Sequence, residues 1–154
     1  AEAAAQGKTL PEVIEVVNSL IPRLSLISLL PSPQQLVKEG RAVTGGDWAE
    51  SKISTQSIME MDASTQGVMK TFARARTRAK GIEKLIGIIK DRSKGRKLHA
   101  AISHYAAPNE AEELKNHLLS QFQCIELYVT EGSLIPPIHV RAGEFVEIGW
   151  YSEE

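Results

Sequence analysis

The sequence holds a single cysteine, Cys124, so no internal disulfide can form. That usage suits a reducing cytoplasm. Aromatic residues make up 5% of the chain, and Phe72 is the only one between Lys70 and Lys97, so the most basic stretch has no stacking platform for bases. No apolar run approaches the ~20 residues of a membrane-spanning helix. The first ten residues lack the basic start and apolar run of a signal peptide. There is no initiator methionine, and the three methionines fall at positions 59, 61 and 69, so a cropped product is expected. The sequence has no HExxH motif, no Cys/His cluster, no glycine-rich phosphate loop beyond an isolated Gly45-Gly46, and no nucleophile elbow. Neither a self-sufficient catalytic centre nor a metal or cofactor site is therefore expected.

What is present is an ordinary globular composition: 154 residues, 42% hydrophobic and 24% charged. That is enough for one domain whose core needs no covalent staples. The net charge of −1 hides an asymmetry. Eleven basic residues face two acidic ones, Glu83 and Asp91, between Lys70 and Lys97, whereas nine glutamates face Lys115 and Arg141 from Asn109 to Glu154. The basic segment either meets an anionic partner or is a solvated face with its own counterions.

Hydrophobic periodicity divides the chain into elements. Thr9-Leu10-Pro11-Glu12 reads as a capping box opening a helix with Val13, Val16, Val17, Leu20 and Ile21 on one face, stopped by Pro22. Leu24–Leu30 reads as a buried strand, Gln34–Glu39 as a short helix closed by Gly40, and residues 41–54 as irregular. Ser57–Met61 and Val68–Ala75 read as strands around a turn-rich 62–67. A helix begun by Thr77 carries Ile82, Leu85, Ile86 and Ile89. Leu98–Tyr105 is a predicted strand. It is followed by a helix capped by Asn109, with Glu112 at the capping-box position and Ala111, Leu114, Leu118 and Phe122 inward. Cys124–Thr130 and Glu144–Tyr151 are the last predicted strands. Two βαβ-like passages beside a hairpin imply an α/β fold of two layers, a mixed sheet with helices mainly on one face.

If Phe72–Arg78 is extended, residues 74, 76 and 78 share one face, which gathers three arginines at a helix N-terminus. Free helix amides there already favour an anion, and the guanidinium fork suits a phosphate or carboxylate. A charged edge strand would look the same. His99 and His104, five apart in one strand, face opposite ways. His139, after Pro136-Pro137 and before Arg141, sits in a loop where it can bond a carboxylate or phosphate, although surface decoration gives the same pattern.

Several stretches, in order along nearly the whole chain, resemble the DegV family. They are Gly7-Lys8-Thr9-Leu10-Pro11-Glu12-Val13-Ile14, Leu36-Val37-Lys38-Glu39-Gly40-Arg41 and, most specific, Ala73-Arg74-Ala75-Arg76-Thr77-Arg78-Ala79-Lys80-Gly81-Ile82. Ile102-Ser103-His104-Tyr105 with Glu110-Ala111-Glu112-Glu113-Leu114, and Glu126–Glu131 with Ile138-His139, complete the set. The family's HTGPG passage stands here as His139-Val140-Arg141-Ala142-Gly143, without the threonine and the middle glycine.

The resemblance implies residues 1–22 as an interdomain helix and 23–154 as a C-terminal lipid-binding domain, with the family's N-terminal domain absent. It implies a non-catalytic carrier that holds one long-chain fatty acid and presents the carboxylate to a separate fatty-acid kinase. His139, with Arg141 beside it, would lie on the head-group side. Arg41, Arg74 and Arg76 would form a kinase-facing positive patch. A homodimer through the face left by the missing domain is a further expectation. A basic nucleic-acid or protein interaction module is the rival reading, without a helix-turn-helix or RRM signature to support it.

Overall fold

The computed structural model describes residues 1–31, 38, 40, 42–43, 56–132 and 144–153. Most of the segment 41–54, expected as irregular, and most of Gln34–Glu39 lie outside these; the described part, Ala42–Val43, is instead a short strand pairing with Met69–Lys70. Among the described residues a seven-stranded sheet has the order β2-β4-β3-β1-β7-β5-β6. The strands are β1 Ser25–Leu30, β2 Ala42–Val43, β3 Gln56–Asp62, β4 Met69–Ala75, β5 Leu98–Tyr105, β6 Cys124–Glu131 and β7 Phe145–Ser152. The pairs β2/β4 and β5/β6 are parallel and the rest antiparallel, so the sheet is mixed. The last strand lies inside the sheet, between β1 and β5.

Two short helices, α1 Glu2–Ala5 and α2 Leu10–Leu20, precede the sheet; α3 Arg78–Ser93 and α4 Pro108–Gln121 pack on one of its faces. The unit β5-α4-β6 is a parallel crossover between neighbours. The other expected βαβ passage differs. β3, β1 and β7 separate β4 from β5, so α3 carries the chain across the sheet rather than to the adjacent strand.

The main core follows from alternation. Ile27 and Leu29 of β1, Ile58 of β3, Val146 and Ile148 of β7 and Ile102 of β5 point to the helical layer. Ile82, Leu85, Ile89, Leu114 and Leu118 meet them from α3 and α4 at helical spacing. Gly81 lets α3 approach, since a Cβ there would lie 2.6 Å from Leu29 Cδ1. Leu85 is fully buried, so Leu85→Ala is expected to cost about 2–5 kcal/mol through lost transfer energy and the cavity left behind. Chemical denaturation reads this directly.

The helix ends show why some signals were read correctly and one was not. Thr77 caps α3, its hydroxyl accepting from the Lys80 amide at 3.3 Å. At α2, Glu12 takes both the Thr9 hydroxyl (2.6 Å) and the Thr9 amide (2.7 Å), which hold its carboxyl below the usual range. Asn109 does not cap α4. The helix starts two residues earlier, with Ala107 at the cap and Pro108 in the first position, because proline has no amide to satisfy and a φ preset for the first turn. Glu112 then pairs forward with Lys115 at 2.8 Å.

Candidate functional site

The pairings Leu30↔Ser57, Gln56↔Ala75 and Tyr105↔Phe145 bring the ends of β1, β4 and β5 and the starts of β3 and β7 to one rim of the sheet. Helices α3 and α4 start from the same rim, so their free amide ends gather there. The segment carrying His139 and Arg141 departs after Gly132 at this rim and returns at Glu144. His139, Arg141 and Arg41 themselves lie outside the described residues.

On the helix-free face below the rim, Leu30, Met59, Tyr105 and Phe145 form a second buried cluster. The Tyr105 and Phe145 rings stack at 4.2 Å. Gly132 runs against Tyr105 so closely that a Cβ would lie 2.1 Å from the ring, which excludes any side chain at that position. One row further down, the Glu147 carboxylate accepts from Tyr105 Oη at 2.7 Å and from the fully buried Ser28 Oγ at 3.3 Å. Burial, then the bond to Glu147 and its negative charge, push the Tyr105 hydroxyl pKa well above its ordinary value. At the far end of the same face, Ile21, Leu24, Leu26, Met61 and Gly149 line an apolar cleft of about 550 Å³.

The arginine segment is split by the geometry. Strand β4 ends at Ala75 and a bend follows, so the three arginines do not share one strand face. Arg76 is exposed, while Arg74 is partly buried and its carbonyl accepts from Lys84 Nζ at 2.6 Å. Arg78 turns inward at the first position of α3. Its Nε and Nη2 grip Glu110 of α4 at 2.7 and 2.5 Å, and Nη1 donates to the Leu29 carbonyl and Gln56 Oε1, both at 3.0 Å. Sequence reading placed Arg78 on one face with Arg74 and Arg76 and missed this clamp. The available signal was electrostatic: a cation at a helix N-terminus opposes the dipole and needs a carboxylate, but its partner stands 32 residues away.

The histidines lie apart. His99 stacks on Tyr151 at 4.5 Å and bonds Glu126 at 3.1 Å on the helix-free face. His104, level with Val146, belongs to the opposite face, and His117 sits 3.8 Å from Glu113 on α4. Among the described residues no group of three or more potential ligands could hold a metal ion. Cys124 is partly buried, and burial raises its thiol pKa, which suits a packing residue rather than a nucleophile.

Helix α2 has no buried residue. Val13, Val16 and Leu20 are half-buried, whereas Leu10, Ile14, Val17 and Ile21 form a stripe at 4-3-4 spacing that is 72%, 49%, 50% and 50% exposed. A contiguous exposed apolar stripe of this kind is a candidate docking face. No helix among the described residues is long and apolar enough to cross a membrane.

Comparison with known proteins agrees with this architecture. The family model described as "Uncharacterised protein, DegV family" matches residues 1–147. A DegV domain-containing protein of Streptococcus pneumoniae is 30% identical over 114 residues, covering 74% of this chain and 40% of that protein. A Thermus thermophilus structure described as fatty acid binding of a DegV family protein superposes with a TM-score of 0.84 at 18% identity, over 99% of this chain and 54% of its own. The Streptococcus pneumoniae fatty acid kinase B3 protein loaded with linoleic acid superposes with a TM-score of 0.81 at 15% identity, over 99% and 53%. The chain thus spans about half the length of the proteins it matches.

Proposed function

Because the chain belongs to the DegV family, we propose that it is the C-terminal part of a two-domain fatty-acid carrier and acts without catalytic residues of its own. Residues 1–22 serve as the interdomain helix and 23–154 as the lipid-binding domain. The observation that carries this reading is the helix-free sheet face, with an apolar cluster under the rim, an apolar cleft beyond it and the exposed stripe of α2. An acyl tail placed there gains about 0.8 kcal/mol per buried methylene. Supporting this, structural neighbours named for fatty acid binding or loaded with linoleic acid share this chain's fold over about half of their own length. His139 and Arg141 act on the head-group side, and a preceding domain packed over the α2 stripe completes the site. A second copy on that face would make a homodimer instead.

The carrier presents the carboxylate to a fatty-acid kinase in the cytoplasm, and Arg41, Arg74 and Arg76 face that partner. Arg76, exposed at the bend before the Thr77 cap, acts by long-range attraction, which salt screens over about 10 Å at 0.1 M. Arg76→Ala should therefore leave the melting temperature within about 2 °C, since surface substitutions change stability by about 0.5 kcal/mol or less. In the chain extended by its preceding domain, the same change should slow acyl-phosphate formation with the kinase, and more so at low salt. Equal rates for variant and parent at low salt would remove the patch from the kinase interface.

A further inference from the structure

The two outer strands of the sheet are guarded differently. β4 carries Lys70 and Arg74, its first residues pair with β2, and its exposed Phe72 lies under the Arg92 guanidinium. β6, at the other edge, spans eight residues and holds neither the lysine nor the proline that commonly blunts such an edge. Among the described residues nothing bonds to its outer side. Ile125, Tyr128 and Val129 are 45%, 61% and 37% exposed, so apolar side chains accompany the unpaired amides and carbonyls. Leu119 joins them from α4, which lies over β5 and β6 and faces α3 with Glu113, His117 and Gln121. Two residues past His117, Leu119 is turned about 200° round the helix. It therefore overhangs the outer side of β6, and it is 53% exposed.

The order of residues along β6 makes this edge complementary to itself. Antiparallel pairing about Leu127 sets Ile125 against Val129 of a second copy and Glu126 against its Tyr128, on both sides of the dyad. The Tyr128 hydroxyl already reaches Glu126 of its own strand at 3.3 Å, so the two groups are chemically matched. Glu131 meets Gln123, and no carboxylate faces another. In-register parallel pairing would instead set Glu126 and Glu131 each against its own copy. We infer that β6 is a self-association edge: two copies of this chain pair β6 to β6, antiparallel about Leu127, and the two Leu119 side chains close the seam from the helical side. One strand edge and one leucine per copy bury less than the roughly 800 Å² per partner of a standard interface, so the dimer is weak and reversible. The seam is separate from the α2 stripe and from the rim where the His139 segment leaves the sheet, so it stands or falls independently of the carrier reading.

Sedimentation velocity from about 10 μM to about 1 mM reads such a weak dimer. Val17→Glu, at a half-exposed position of α2, places a charge on the other apolar surface and serves as the background for every variant. The Val17→Glu chain should pass from monomer to dimer across this range. Tyr128→Glu sets a carboxylate against Glu126 at two places and should weaken the dimer at least about 10-fold, whereas Tyr128→Lys sets an ammonium there and should keep it. Tyr128 is mostly exposed, and a dispersed amide spectrum confirms that each variant is folded. Hydrogen exchange of outward-facing amides within Ile125–Val129 should slow as the dimer forms. A Val17→Glu chain that stays monomeric at about 1 mM would overturn the assignment and leave the edge to a strand of another protein. A dimer that ignores Tyr128→Glu, or is weakened as much by Tyr128→Lys, would also overturn it.

Discussion

Arg78→Ala should destabilise the domain by about 2–4 kcal/mol, the cost of breaking a partly buried, multiply bonded ion pair. The figure lies below the full penalty for a buried pair because the Arg78 and Glu110 side chains are 22% and 27% exposed, so water softens the loss. The guanidinium ties α3 to α4 through Glu110, to β1 through the Leu29 carbonyl and to β3 through Gln56. Its removal therefore leaves a carboxylate, a backbone carbonyl and an amide oxygen short of a donor. Urea unfolding should show a lower midpoint with an unchanged slope, against a near-neutral Arg76→Ala only two residues away. Arg78→Lys should recover little, since an ammonium cannot reproduce the fork on Glu110. A midpoint equal to that of the parent would show that the clamp contributes nothing to holding the two layers together.

Arg92→Ala should be as damaging, at about 2–4 kcal/mol, for a related reason. It strands the Glu60 carboxylate, which is 6% exposed and would keep only Ser25 Oγ as a donor. The guanidinium also lies 5.2 Å over the Phe72 ring, so its loss uncovers an exposed aromatic. The discriminating comparison is with Glu60→Gln. If the damage comes from an uncompensated buried charge, Arg92→Ala combined with Glu60→Gln should be more stable than Arg92→Ala alone by at least 1 kcal/mol, about 2–4 °C in melting temperature for a domain of this size. Simple additivity of the two changes would assign the loss to packing instead.

These two pairs also mark where sequence reading stops. Elements with a strong local signal were legible: the Thr77 cap, the α3 stripe of Ile82, Leu85, Ile86 and Ile89, and the apolar β1 all stand where periodicity placed them. So was the two-layer mixed sheet with its helices on one face. The partners of Arg78 and Glu60 lie 32 residues away in each case, and no local period encodes a contact of that range. The three-arginine face failed because alternation holds only while the strand continues, and β4 stops at Ala75. The start of α4 failed because Asn109 is a good cap only in the absence of Pro108. Glu147 and Tyr105, 42 residues apart, meet only because β7 inserts beside β5. His139 and Arg141 lie outside the described residues; sequence alone offered His139 only as a loop histidine, and its head-group role came from the family resemblance.

The central claim is that fatty-acid binding is shared between this chain and a preceding domain. Native mass spectrometry with lipid extraction tests it on two purified forms, this chain and the chain extended at its N-terminus by that domain. The extended form should carry one long-chain fatty acid per molecule and lose most of it on His139→Ala, while residues 1–154 alone carry little or none. A stoichiometric fatty acid on residues 1–154 alone, or none on the extended form, would contradict the account.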